Sequence, residues 1–255
     1  MTSLILAVTA GAVVGLALGG LGGGGSVLAV PALIYPFGFS PAAATTAGLL
    51  IVIATSLTGL LAHARDGAVR WRTGTLFAAA GIVPAAVAGA LSVRIPAVVL
   101  TVAFAVLAAV AAVRMLRPRP LPPATDGGRG AGPVPARRAA GAGAGLGAVT
   151  GFLGVGGGFL AVPALVTFLA VPMTAAVGTS LLVITVNSTA ALATRLATPA
   201  ALDWAVIAPF TAAAVLGAWD GKRLASKVST DALQRVFGGV LLAVALGMVI
   251  DAVLR

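Results

Sequence analysis

Of 255 residues, 60% are hydrophobic and 9% charged, with sixteen Lys and Arg against six acidic groups and a net charge of +10. A soluble domain of this length needs far more polar surface, so bilayer hydrocarbon must solvate the excess, and the expected fold class is an all-α polytopic membrane protein. The bases lie between apolar segments, which points to orientation in a membrane and away from a nucleic-acid partner.

Apolar runs between charges and breakers predict five segments in the first half, at 3–21, 26–37, 40–63, 73–93 and 96–116. The opening MTSLILAVTAGAVVGLALGG lacks a basic leader region and reads as a first transmembrane segment rather than a cleaved signal. Residues 117–138, RPRPLPPATDGGRGAGPVPARR, combine helix-breaking Pro and Gly with Arg and read as an exposed linker. The second half gives 139–153, 158–170, 172–194, 204–221 and 231–252. Four of each five approach the length that crosses ~30 Å of hydrocarbon, although 139–153 is short. The second of each five is short enough for a half-helix or re-entrant piece. The expected organisation is a first repeat at 1–116, the linker, and a second repeat at 139–255.

The halves share a text. Residues 15–34 and 147–166 are identical at 12 of 20 positions at an offset of 132, including the Leu-Ala-Val-Pro-Ala-Leu run with Pro31 and Pro163. Duplicated apolar halves with matching glycine breaks are a signature of membrane transporters. If all five segments cross, the repeats are inverted. With the 64–72 loop inside, 13 basic residues then lie inside and 3 outside. If the short segments turn back, the repeats are parallel and the split is 11 to 5. The positive-inside rule favours inversion, whereas the shortness of the second segments argues the other way.

Cysteine is absent, which excludes disulfides and thiol chemistry. The lone histidine, His63, reads as a residue at the membrane edge. Asp66, Asp126, Asp203, Asp220, Asp231 and Asp251 fall in loops or near segment ends, with Asp220 expected to pair with Lys222 or Arg223. No catalytic base, nucleophile pair, metal cluster or cofactor site is indicated, so the chain does not read as an enzyme.

Two other features can hold a ligand. Gly22, Gly23, Gly24, Gly25 and Ser26, and their counterparts Gly154, Gly156, Gly157 and Gly158, precede the short helices. Successive glycines expose backbone N–H groups, and the helix that follows adds its positive end, which together make an anion site without a charged side chain. Gly11, Gly15 and Gly19, with Gly143, Gly147 and Gly151, instead fit close helix packing. The third segments carry small polar groups, and at the repeat offset Thr55-Ser56 falls on Asn187-Ser188. Asn187 is the chain's single asparagine, and substrate contact and interhelical bonding are both open to it.

GLGGGGSVLAVPAL and GFLGVGGGFLAVPAL, in apolar halves, resemble the TauE/SafE sulfite exporter family over nearly the whole chain, the linker excepted. The matching positions are Gly22, Gly24, Gly25, Pro31, Gly154, Gly156, Gly157 and Pro163, with departures from internal symmetry at Ser26/Gly158 and Gly23/Val155. The resemblance implies a cell-membrane permease for small sulfur-containing anions such as sulfite or organosulfonates. On this expectation the two breaks meet near the membrane centre, Thr55, Ser56, Asn187 and Ser188 add hydrogen bonds, and the halves rock about the site. The competing expectation is a membrane scaffold that uses the glycines for packing alone. The expected partners are a small anion and the lipid bilayer, with Ala/Gly faces suited to lipid or a second copy and the linker on the cytoplasmic side.

Overall fold

A backbone in hydrocarbon has no water to satisfy its N–H and C=O groups, which restricts it to helices or closed barrels. The computed structural model describes residues 2–22, 24–92, 97–116, 134–153, 158–195, 202–225 and parts of 227–247, and among them there is no strand. The first-half helices are α1 (Thr2–Leu21), α2 (Gly24–Phe37), α3 (Pro41–Arg65), α4 (Trp71–Ser92) and α5 (Ala97–Leu116). The second half contributes α6 (Ala136–Leu153), α7 (Gly158–Leu169), α8 (Met173–Arg195) and α9 (Trp204–Ala225). Among the described residues α1, α3, α8 and α9 are long and apolar enough to cross a membrane. The short second segments are helices of 14 and 12 residues. One boundary moves: α6 begins at Ala136, which draws Arg137 and Arg138 out of the expected linker and lengthens the short segment to 18 residues.

The ends of α2 and α7 are built alike. Gly38 takes φ +67, its N–H bonds to Ile34 O at 2.9 Å, and Phe39 N–H bonds to Leu33 O at 3.4 Å. This is the left-handed stop that satisfies the last carbonyls of a helix. Ala170, 132 residues later, takes φ 51, and Val171 N–H bonds to Leu165 O at 3.1 Å. Alanine there holds a backbone that its Cβ disfavours. After the first stop the Ser40 side chain caps α3 by accepting from Ala43 N–H at 3.3 Å, and Pro41 sits where its missing N–H costs nothing.

Helix pairing crosses between the halves. The missing side chains of Gly11, Gly15 and Gly19 on α1 are replaced by the carbonyls of Phe210, Ala214 and Ala218 on α9. Both series ascend, so α1 and α9 run in the same direction. Gly143 and Gly147 on α6 lie in the same way on Phe77 and Gly81 of α4. The expected packing role holds for these five glycines, and Gly217, Gly221 and Gly81 complete it from the partner helices. Between these seams α3 and α8 run antiparallel. Gly59 faces Leu181, while Gly178 lies on Ala68 and His63.

These registers align the helix ends. Lys222 near the end of α9 bonds Ala62 O at 2.6 Å and Asp66 at 2.5 Å, which places it beside the end of α3. The α4–α6 register sets Arg137 and Arg138 level with the start of α4. Arg65, Arg70, Arg72, Arg137, Arg138, Lys222 and Arg223 therefore collect at one end of the bundle.

Candidate functional site

The first glycine break begins where α1 ends. Gly22 turns left-handed at φ +72 while its N–H still closes on Leu18 O at 2.9 Å. A Cβ there would sit 2.6 Å from Ser180 Oγ, 3.1 Å from Val162 Cγ2 and 3.3 Å from Val177 O. The break is thus buried against α7 and α8, inside protein rather than against lipid, which is where irregular backbone is tolerated at membrane depth. Gly24, Gly25 and Ser26 form the opening turn of α2, whose first N–H groups have no partner within the helix and carry its positive end. Gly158 opens α7 in the same way. Gly23, Gly154, Gly156 and Gly157 lie outside the described residues, as does most of the linker. Pro31 and Pro163 sit inside the short helices.

Helix α8 carries a polar stripe from this break into the bundle. Ser180, fully buried, donates to Val177 O at 2.8 Å. Asn187 stands two turns further along the same face, about 10 Å away at 1.5 Å per residue. Its Oδ1 is buried and has no hydrogen-bond partner. The neighbouring Ser188 is 5% exposed. Native interiors rarely leave such a group unpaired, because its desolvation is then uncompensated.

On α3, Thr55 and Ser56 are fully buried. The Thr55 hydroxyl turns back to Ile51 O at 2.6 Å and so is spent on its own helix. Ser56 Oγ lies 2.9 Å from Thr185 Oγ1, and the Thr185 hydroxyl lies 2.8 Å from Leu181 O. Ser56 Oγ also lies 3.3 Å from Ile53 O, so each hydroxyl has a carbonyl on its own helix and either can donate to the other. The repeat offset aligns Thr55-Ser56 with Asn187-Ser188, but the structure brings Ser56 to Thr185 and leaves the Asn187 oxygen unpaired. The packing of α3 on α8, not the offset, selects the partner.

His63, in the last turn of α3, is buried. It is 8% exposed beneath the end of α1, with Nε2 3.2 Å from Gly19 O. A carbonyl only accepts, so Nε2 carries the proton. Sequence alone gave no sign of this, because the cover comes from a helix 44 residues upstream. The adjoining loop is tied down on two sides. Arg70 N–H donates to the buried Thr179 Oγ1 at 3.0 Å, and Lys222 holds Asp66. The Lys222 hydrogen bond holds the Asp66 carboxyl below the ordinary carboxylate range, with desolvation opposing it. Asp220 faces Arg223 at 3.8 Å in solvent, as expected for that pair. Among the described residues no three His or Asp side chains gather as a metal site.

Lipid-length helices packed across two halves around a buried, uncharged polar seam define a multi-pass helical membrane protein. The model of the Sulfite exporter TauE/SafE family matches residues 7–248. A "Probable membrane transporter protein" of Xylella fastidiosa strain 9a5c is 36% identical over 249 residues, covering 96% of this chain and 94% of that one. A second, so named, from strain Temecula1 is 34% identical over 248 residues, with the same coverage. No solved structure matches significantly. The chain belongs to the TauE/SafE family and is a membrane transporter.

Proposed function

We propose that this transporter is a secondary permease that exports a small sulfur-containing oxyanion, such as sulfite or an organosulfonate, by alternating access of two inverted repeats. The observation that carries the proposal is the burial of the Gly22 break between the halves, against Val162, Val177 and Ser180. An anion reaching this place meets the open N-terminal turn of α2 without meeting a carboxylate. Gly24, Gly25 and Ser26, with Gly158 and the remaining glycines of the second break, form the backbone cradle. Ser56, Asn187 and Ser188 supply side-chain contacts, and Thr55 shapes the wall.

Inversion is supported by helix direction. Counterparts at the repeat offset run oppositely: α3 and α8 are antiparallel, and α1 ends at the face where α6 begins. The matching stops after α2 and α7 favour two equivalent units, 1–116 and 139–255. The cluster of bases at one end favours that end, and with it the linker, as the cytoplasmic side of the cell membrane.

Efflux of sulfite from proteoliposomes, measured beside thermal stability, tests the site. Asn187→Leu removes an amide whose oxygen has no partner, so the melting temperature is expected to hold or rise. Flux is expected to fall at least about tenfold, the worth of one hydrogen bond to a charged group. Unchanged flux with a lowered melting temperature would return Asn187 to a purely structural role.

A further inference from the structure

Glycines on α6 occupy two faces with different surroundings. Gly143 and Gly147 are filled by the α4 backbone, but a Cβ added at Gly141 or Gly145 meets nothing within 4 Å. These two glycines floor a crevice of about 810 Å³ between α5, α6 and α7, with Leu107 and Phe168 on its walls. The walls are apolar apart from Thr167 and one cation, Arg138, and Phe168 is 66% exposed. Arg137 is also exposed, but it does not line the crevice.

The dimensions and charge select an occupant. Arg138 belongs to the basic end of the bundle, at the level of lipid headgroups. From Arg138 the floor runs along α6 to Val149, eleven residues or about 16 Å at 1.5 Å per residue. That is about half of a ~30 Å hydrocarbon core, the depth of one leaflet. The end of α7 lies at the same face, because residues 170–172 join it directly to the start of α8. A solute matching this shape has one negative group at the surface and an apolar tail reaching the bilayer centre. We infer that the crevice binds an anionic phospholipid of the leaflet on the basic side, with its phosphate on Arg138 and one acyl chain over Gly141 and Gly145. This rests on the membrane embedding of the bundle and not on the identity of the transported solute. Side chains at the two glycines would fill the channel without improving any contact within the protein.

Native mass spectrometry after extraction from nanodiscs of equal phosphatidylglycerol and phosphatidylcholine tests the inference. The wild-type protein is expected to retain phosphatidylglycerol preferentially. Arg138→Ala lowers that preference about fivefold, the worth of one cation near a lipid surface, whereas Arg137→Ala leaves it unchanged. Gly145→Leu lowers retention of both lipids, with Gly145→Val as the smaller plug if leucine impairs folding. Sulfite flux persists in Arg138→Ala, which separates failure here from failure of the permease reading. Equal losses in the two arginine variants would mean a diffuse basic surface and overturn the site. So would undiminished retention in folded plug variants, or a wild-type dimer that the plug dissociates without change in bound lipid.

Discussion

The α1–α9 seam and the α3–α8 seam join the same two halves by opposite means. In the first, Gly11, Gly15 and Gly19 bring the backbone of α1 onto the carbonyls of α9, and no space remains. In the second, the contact is polar: Ser56 meets Thr185 between the helices, and along α8 Ser188 is buried and the buried Asn187 oxygen has no partner. Lipid tails are as apolar as leucine, so close packing of small residues is a main source of attraction between membrane helices. Glycine repeats at helical spacing therefore report cohesion, whereas an unpaired amide oxygen reports a cost that packing does not require.

The largest expected effect follows from attacking the dry seam. Gly15→Val drives a Cβ onto the Ala214 carbonyl, which only separation of the helices relieves. Overpacking of this kind costs about 3 kcal/mol. Loss of the monodisperse peak in fluorescence-detected size exclusion is expected. A normal peak would show that the seam opens freely and would erase the contrast with α3–α8.

A smaller effect is expected at the basic end. Lys222→Met releases Asp66 and the Ala62 carbonyl and lowers the melting temperature at neutral pH. Because the Asp66 carboxyl is held low in the folded protein, the ion pair contributes above the ordinary carboxylate pKa of about 3.9. Its contribution is lost as pH falls through the lowered value, so the melting curves of variant and wild type converge in acid. A difference that persists at acidic pH would assign the effect to the Ala62 bond.

The smallest change tests the likeness of the halves. Ala170 holds the left-handed position that Gly38 holds in the first half. Ala170→Gly is expected to stabilise by about 1 kcal/mol, visible as a modest rise in melting temperature. Gly38→Ala is expected to destabilise by a similar amount. Opposite signs would show that the two stops are not equivalent.

Much of this arrangement is legible in the sequence, and the part that is not has a common cause. Hydrophobic runs and glycine breaks are local, so the short helices appear within about two residues of their expected limits. The GxxxG spacing marks which face of α1 is buried. It does not name α9 as the partner, since that pairing joins residues some 200 positions apart. The same limit hid the burial of His63, whose cover comes from α1, and the contact of Ser56 with Thr185. A repeat offset relates equivalent positions but does not say which of them touch.

Thiol accessibility tests the central contrast most directly, because the chain has no cysteine of its own. Single variants Ser56→Cys, Ser188→Cys and Ala214→Cys, in proteoliposomes, would be exposed to a charged maleimide with and without sulfoacetate. The account predicts labelling at positions 56 and 188 that sulfoacetate slows, and none at position 214. Equal inertness at all three positions, or labelling that sulfoacetate leaves unchanged, would contradict it.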